Sequence, residues 1–275
     1  MKKWIFALTA LVCFCAFSIT ALAASKIDKT NVSKGYATIV YDGNVKDKTV
    51  KLKVERVGVS SYYTYTVISN EPFNVPLQLG DGMYKLSLME NVSGTKYRIL
   101  TSETFDVKVT STNNEMYLIA TPIVDFRSDS KAVSDYQKQI ADALLATALG
   151  KVGLVYNDII HRYVYDYDKM NAILRGDYPN GYVPVVDAVY ISLKGICYDY
   201  ASLTAAALRA AGIPVKVVMG YSKAVGDNVY HAWNEIFIDG KWIVADLTYD
   251  AVYAQANQAY KMMKDAKDFI VTKTY

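Results

Sequence analysis

The chain has 275 residues, 52% of them hydrophobic and 21% charged, with 30 Lys and Arg against 27 Asp and Glu for a formal net charge of +3. That length suffices for a full hydrophobic core and a second small domain. So small a charge gives no electrostatic footing for a nucleic acid or an anionic membrane as partner.

The first residues, MKKWIFALTALVCFCAFSITALAAS, run from two lysines through an apolar stretch to Ala21-Leu22-Ala23, the small-residue pattern of a signal-peptidase site. Residues 1–23 are therefore expected to be a cleaved secretory signal, too short for a retained span. A secreted or cell-surface location follows, with no membrane span in the mature chain. Val12 and Phe14 are too bulky to precede a lipid-attachment cysteine, so Cys13 and Cys15 leave with the signal. Loss of Lys2 and Lys3 lowers the formal charge from +3 to +1, and Cys197 is the one remaining cysteine.

Residues 24–110 carry short runs of period-two alternation: YATIV, VKLKVERV, YYTYTVI, MYKLSLME and ETFDVKV. Turn chemistry separates them at Asp42-Gly43-Asn44, Gly80-Asp81-Gly82 and Ser93-Gly94. This spacing predicts a small antiparallel β-sandwich of immunoglobulin-like type.

Past Ser111-Thr112-Asn113-Asn114 the period changes. Residues 111–150 are read as a linker with an extended YLIATPIVDF segment, followed by a helix. In VSDYQKQIADALLATAL, Tyr136, Ile140, Leu144 and either Ala148 or Leu149 fall on one helical face. Residues 151–275 form the second domain, with a helix over 152–164 and a loop over 175–187. A third helix runs from about Cys197 to Ala211, stopped by Gly212 and Pro214. The strand patterns PVKVVMGY and HAWNEIFI come next, and Asp239-Gly240 turns the chain into KWIVADLTYD, also read as a strand. The fold class is α+β.

Cys197 stands where a helix begins, among unpaired backbone N–H groups at the positive end of the helix dipole, a location that favours thiolate. A nucleophilic cysteine needs a base, and the chain has two histidines, His161 and His231. A two-residue turn at Asp239-Gly240 pairs Ile238 with Lys241, which sets Trp233 opposite Asp246 and His231 opposite Thr248. His231 and Asp246 then share a face as diagonal neighbours, within bridging distance. His161, within NDIIHRYVYDYD on a helix, has no such arrangement and is read as structural.

KGICYDYASLTAAALRAAGIPVKVVMGY and HAWNEIFIDGKWIVADLTYD resemble the transglutaminase-like superfamily, whose motif blocks are Gly-x-Cys before a helix, His-Ala-Trp on a strand, and Trp followed shortly by Asp-x-Thr. The resemblance is strong over about residues 190–250. It implies a papain-like core, with Cys197 as nucleophile, His231 as base and Asp246 as orienting acid. Leu247 and Tyr249 depart from the Pro and Trp of many members.

The activity implied is acyl transfer at peptide or carboxamide bonds through a Cys197 thioester, with hydrolysis expected over crosslinking. The partner is a peptide or protein substrate, cell-wall peptide among the candidates. Trp233 and Tyr198 are the candidate substrate-binding side chains, and Tyr165 or Tyr167 a candidate second oxyanion donor beside the Cys197 N–H. No cofactor is expected, and one Cys with two distant His falls short of a zinc ligand set. The alternative reading is a non-catalytic cell-surface module binding peptide or glycan on the same fold.

Overall fold

The computed structural model describes residues 25–43, 49–67, 71–127, 129–178 and 181–275; the expected signal, 1–23, lies outside them. The N-terminal strands are β1 (Ser25–Asp28), β2 (Tyr36–Tyr41), β3 (Val50–Arg56), β4 (Tyr62–Val67), β5 (Phe73–Pro76), β6 (Gly82–Ser93) and β7 (Lys96–Val107). They make two antiparallel sheets, ordered β1-β2-β5 and β4-β3-β6-β7. Alternate residues point inward, as period two requires: Ala37, Ile39 and Tyr41 from β2 meet Leu52, Val54, Tyr63 and Tyr65 in the shared core. The four-residue strands β1 and β5 were not legible, being too short to display alternation. β7 begins earlier than ETFDVKV because Gly94, at φ +54°, closes a tight hairpin after β6.

YLIATPIVDF forms no strand. A 3-10 turn at Glu115–Tyr117 is followed by a closed turn in which Thr121 and Val124 exchange both backbone hydrogen bonds around Pro122. The expected helix through Leu144 is also two helices, α1 (Lys131–Asp142) and α2 (Ala148–Arg162). Leu144 takes a left-handed φ of +53° and is 87% exposed. Thr147 then caps α2, its hydroxyl accepting the Gly150 N–H at 3.1 Å. Local capping overrides the apolar period here.

Three short elements follow: β8 (Val164–Tyr165), α3 (Tyr167–Leu174) and α4 (Val186–Ser192). β8 pairs in parallel with β9 (Lys194–Gly195), which leads into α5 (Cys197–Ala210). Every residue of α5 from Asp199 to Arg209 is buried. A helix enclosed on all sides needs small residues to let its neighbours approach, and ASLTAAAL supplies them.

The core sheet contains β10 (Val215–Ser222), β11 (Gly226–Ile238), β12 (Lys241–Ala245) and, after α6 (Leu247–Gln255), β13 (Phe269–Thr274), in the order β12-β11-β10-β13. The observed register pairs Ile238 with Lys241 and Asn234 with Ala245, as the turn requires. The strand stops at Ala245, so Asp246 and Thr248 do not pair with Trp233 and His231; KWIVADLTYD is half strand and half helix. Asn234 Nδ2 donates to the Ala201 carbonyl at 2.9 Å and fastens α5 to this sheet. No helix among the described residues is long and apolar enough to cross a membrane.

Candidate active site

Asp246 ends β12 as the N-cap of α6: its Oδ1 accepts the Tyr249 N–H at 3.0 Å. Its Oδ2 lies 2.8 Å from His231 Nε2. Both oxygens are thereby held, and Asp246 and His231 are 1% and 5% exposed. With Nε2 engaged, Nδ1 is the ring nitrogen left for the sulfur. Cys197, the first residue of α5, is half-buried, not enclosed. The nucleophile can meet a substrate while its partners stay dry.

Burial opposes a charge on His231. The charge and hydrogen bond of Asp246, then the hydrogen bond and charge of Cys197, outweigh it and push the imidazole pKa up to about 10. The arrangement favours a charged imidazolium at His231. Cys197 is also the N1 residue of α5, so its N–H has no intrahelical acceptor and is available to an oxyanion.

Trp233 is 1% exposed and packs with Val218, Val244 and Phe269. Its ring stacks on His231 at 6.3 Å between centroids. It backs the imidazole rather than lining an open wall. Tyr198 is half-buried, 6.4 Å from Tyr182, and burial raises its phenol well above the ordinary range.

Tyr165 pairs with Gly195 next to the nucleophile. Burial and then the charge of Cys197 push its phenol up to about 12, so it stays a donor. Tyr167 is 62% exposed and stacks edge-on against Tyr165 at 4.9 Å. His161 contacts other groups, with Nδ1 2.8 Å from the Asn157 carbonyl and Nε2 3.4 Å from the Tyr260 hydroxyl.

Sequence reasoning missed Asp199, Lys169 and Tyr182. Asp199 sits at the third position of α5, its carboxylate accepting the Ile196 N–H at 2.8 Å. An acid three residues past a helix start is a capping signal that could have found it. Lys169 and Tyr182 reach it from α3 and the loop beyond, elements without a sequence signature.

The model of the Transglutaminase-like superfamily matches residues 135–247, from within α1 to the start of α6. Comparison with curated proteins gave no significant match. Among solved structures the chain is similar to a protein described as a candidate cysteine protease from Cytophaga hutchinsonii, at 16% identity and TM-score 0.37 over 84% of this chain and 70% of that one. It is also similar to a TGase (21% identity, TM-score 0.34, 58% of this chain and 43% of that one). Red sea bream transglutaminase is a third (11%, 0.26, 78% and 48%). The chain thus spans less than half the length of these two transglutaminases. The matched segment contains Cys197, His231 and Asp246, and it is over these residues, 135–247, that the chain matches the transglutaminase-like superfamily.

Proposed function

We propose that the chain is an exported cysteine-dependent enzyme that cleaves peptide or carboxamide bonds through a Cys197 thioester, with water favoured over an amine as acceptor. The observation that carries this reading is the 2.8 Å bond between His231 Nε2 and Asp246 Oδ2, both buried, beside a half-buried cysteine at a helix N-terminus.

The Cys197 thiolate attacks the carbonyl carbon, and the oxyanion forms facing the Cys197 N–H. His231 gives the proton on Nδ1 to the leaving amine as the C–N bond breaks, leaving an acyl thioester. The neutral imidazole then takes a proton from water, the hydroxide attacks the thioester, and the acid departs as thiolate and imidazolium re-form. Asp246 stabilises the charged ring throughout and holds its tautomer. Peptides, including those of a cell wall, are the proposed substrates.

Incubating the enzyme with glutamine-containing and wall-derived peptides, with and without a primary amine, tests this by product mass. The expected result is water-derived products that dominate and vanish in Cys197→Ala. Products carrying the amine would instead make it a crosslinking acyltransferase. No turnover, with Cys197 never acylated, would overturn the enzyme reading in favour of a binding module.

A further inference from the structure

Asp199 is wholly buried two residues beyond Cys197, in the first turn of α5, and no step above uses it. Its Oδ2 accepts the Ile196 N–H at 2.8 Å and Lys169 Nζ at 2.9 Å, and its Oδ1 accepts the Tyr182 hydroxyl. Gly195 makes the space: a Cβ there would stand 2.6 Å from the Asp199 Cβ. Lys169 comes from α3, which is fixed to the same place because the Asp166 N–H donates to the Gly195 carbonyl at 2.9 Å. Three separate segments converge on one carboxylate behind Gly195-Ile196-Cys197.

The electrostatic consequence concerns the sulfur. A Cys197 thiolate and the Asp199 carboxylate are like charges within one helical turn, and in a dry environment each disfavours the other. The titratable groups around Asp199 are Lys169 on α3, Tyr182 on the loop, Tyr165 on β8, Asp166 before α3, and Tyr198 and Tyr200 on α5. Lys169 is the cation of that set, and its side chain is 20% exposed. The remaining contacts of Asp199, from the Ile196 N–H and the Tyr182 hydroxyl, are hydrogen bonds to its carboxylate made independently of the lysine.

Taking Cys197 to be the nucleophile, as above, we propose that Lys169 is a positioning residue: acting through Asp199, it cancels the buried negative charge behind the sulfur and holds the turn that presents it.

Alkylation of Cys197 by iodoacetamide, followed on its own peptide by mass spectrometry, tests this without a substrate. Lys169→Met should react at least about tenfold more slowly than wild type near pH 7, the deficit closing at alkaline pH where the thiol ionises regardless. Lys169→Met/Asp199→Asn, which removes both charges, should return to within about threefold of wild type, and Lys169→Arg should stay there too. A merely structural role predicts a deficit that ignores pH and is not rescued by the second change. Wild-type rates in Lys169→Met, or a double variant as slow as the single one, would overturn the proposal. In that event a slow His231→Ala variant would still support the reading of Cys197 as nucleophile, whereas a wild-type thiol no more reactive than a free one would remove that reading as well. Should Lys169→Met fail to fold, Lys169→Gln is expected to show the same pH-dependent deficit, and wild-type rates in it would equally overturn the proposal.

Discussion

At Asp246 the two carboxylate oxygens divide between a ring and a helix, Oδ2 on His231 and Oδ1 on the Tyr249 N–H. Asp246→Asn keeps a good N-cap but loses the anion that stabilises imidazolium. Turnover should fall by about 10³-fold or more, and stability near pH 7 should fall too, through the lost ion pair and with the cap kept. Asp246→Ala should add about 1 kcal/mol of lost capping. Asp239→Asn, in the turn at φ +49°, should change neither quantity, since Asn tolerates that conformation; equal losses from Asp239→Asn and Asp246→Asn would contradict the pairing. His231 also makes stability depend on pH. Its folded pKa of about 10 exceeds the ordinary 6.5, so the charged ring stabilises the fold fully below about pH 6.5 and loses that contribution as pH rises towards about 10. In urea unfolding, the advantage of wild type over His231→Gln should shrink across this window by up to about 1.4 kcal/mol per pH unit. An advantage that grows with pH would refute the raised value. The cysteine, histidine and aspartate were legible because each stands at a punctuated point: a helix start, a strand register set by Asp-Gly, and the strand's end. Lys169 was not, because a buried ion pair across two helices leaves no local period, and Asp199 showed only its capping position at the start of α5.

Among the elements, the hairpin keeps its expected register but ends sooner than the strand pattern predicts. The register from Asp239-Gly240 holds to Asn234 and Ala245, and parity correctly directs Asp246 towards His231. What parity could not show is that Asp246 leaves the sheet to cap α6, which brings it nearer than a strand diagonal. The α1–α2 break at Leu144 is the opposite case, where an apolar repeat ran on through a capped helix start. Trp233 belongs to this scale as well. Trp233→Leu should open a cavity beneath His231, lowering stability by about 2 to 4 kcal/mol and reducing kcat/KM by a similar factor for every substrate. Losses that differ sharply among substrate side chains would make Trp233 a substrate contact instead. Gly220 is equally constrained: a Cβ there would stand 1.9 Å from the Ile270 carbonyl oxygen of β13. Gly220→Ala should displace β13 and lower the melting temperature, by about 2 kcal/mol or more in free energy.

Across the whole molecule, β13 ties the N-terminal sheets to the core. The Tyr275 ring meets Tyr63 and Tyr65 edge-on at 5.2 and 6.2 Å, Gln78 Nε2 donates to the Thr274 carbonyl, and the Thr274 N–H donates to the Tyr63 hydroxyl. Arg209, near the end of α5, donates to the carbonyls of Ile119, Val215 and Tyr275, joining the linker, β10 and the end of β13. Burial lowers its pKa to about 10, and these carbonyls replace the water it gives up. Arg209→Met should orphan them and cost about 3 kcal/mol or more, loosening both halves in one transition; unchanged thermal unfolding would show that the join is not structural. None of this was readable along the chain, because its contacts link residues up to 211 positions apart.

The proposed chemistry depends on Cys197 being a nucleophile activated by His231. Rapid denaturing quench of the enzyme with an activated peptide ester at about pH 6, where a free thiol is almost wholly protonated, measures that directly by mass spectrometry of the Cys197 peptide. The predicted result is an acyl adduct on Cys197 within the first turnover in wild type, strongly reduced in His231→Ala. A wild-type Cys197 acylated no faster than a small-molecule thiol at the same pH would contradict it.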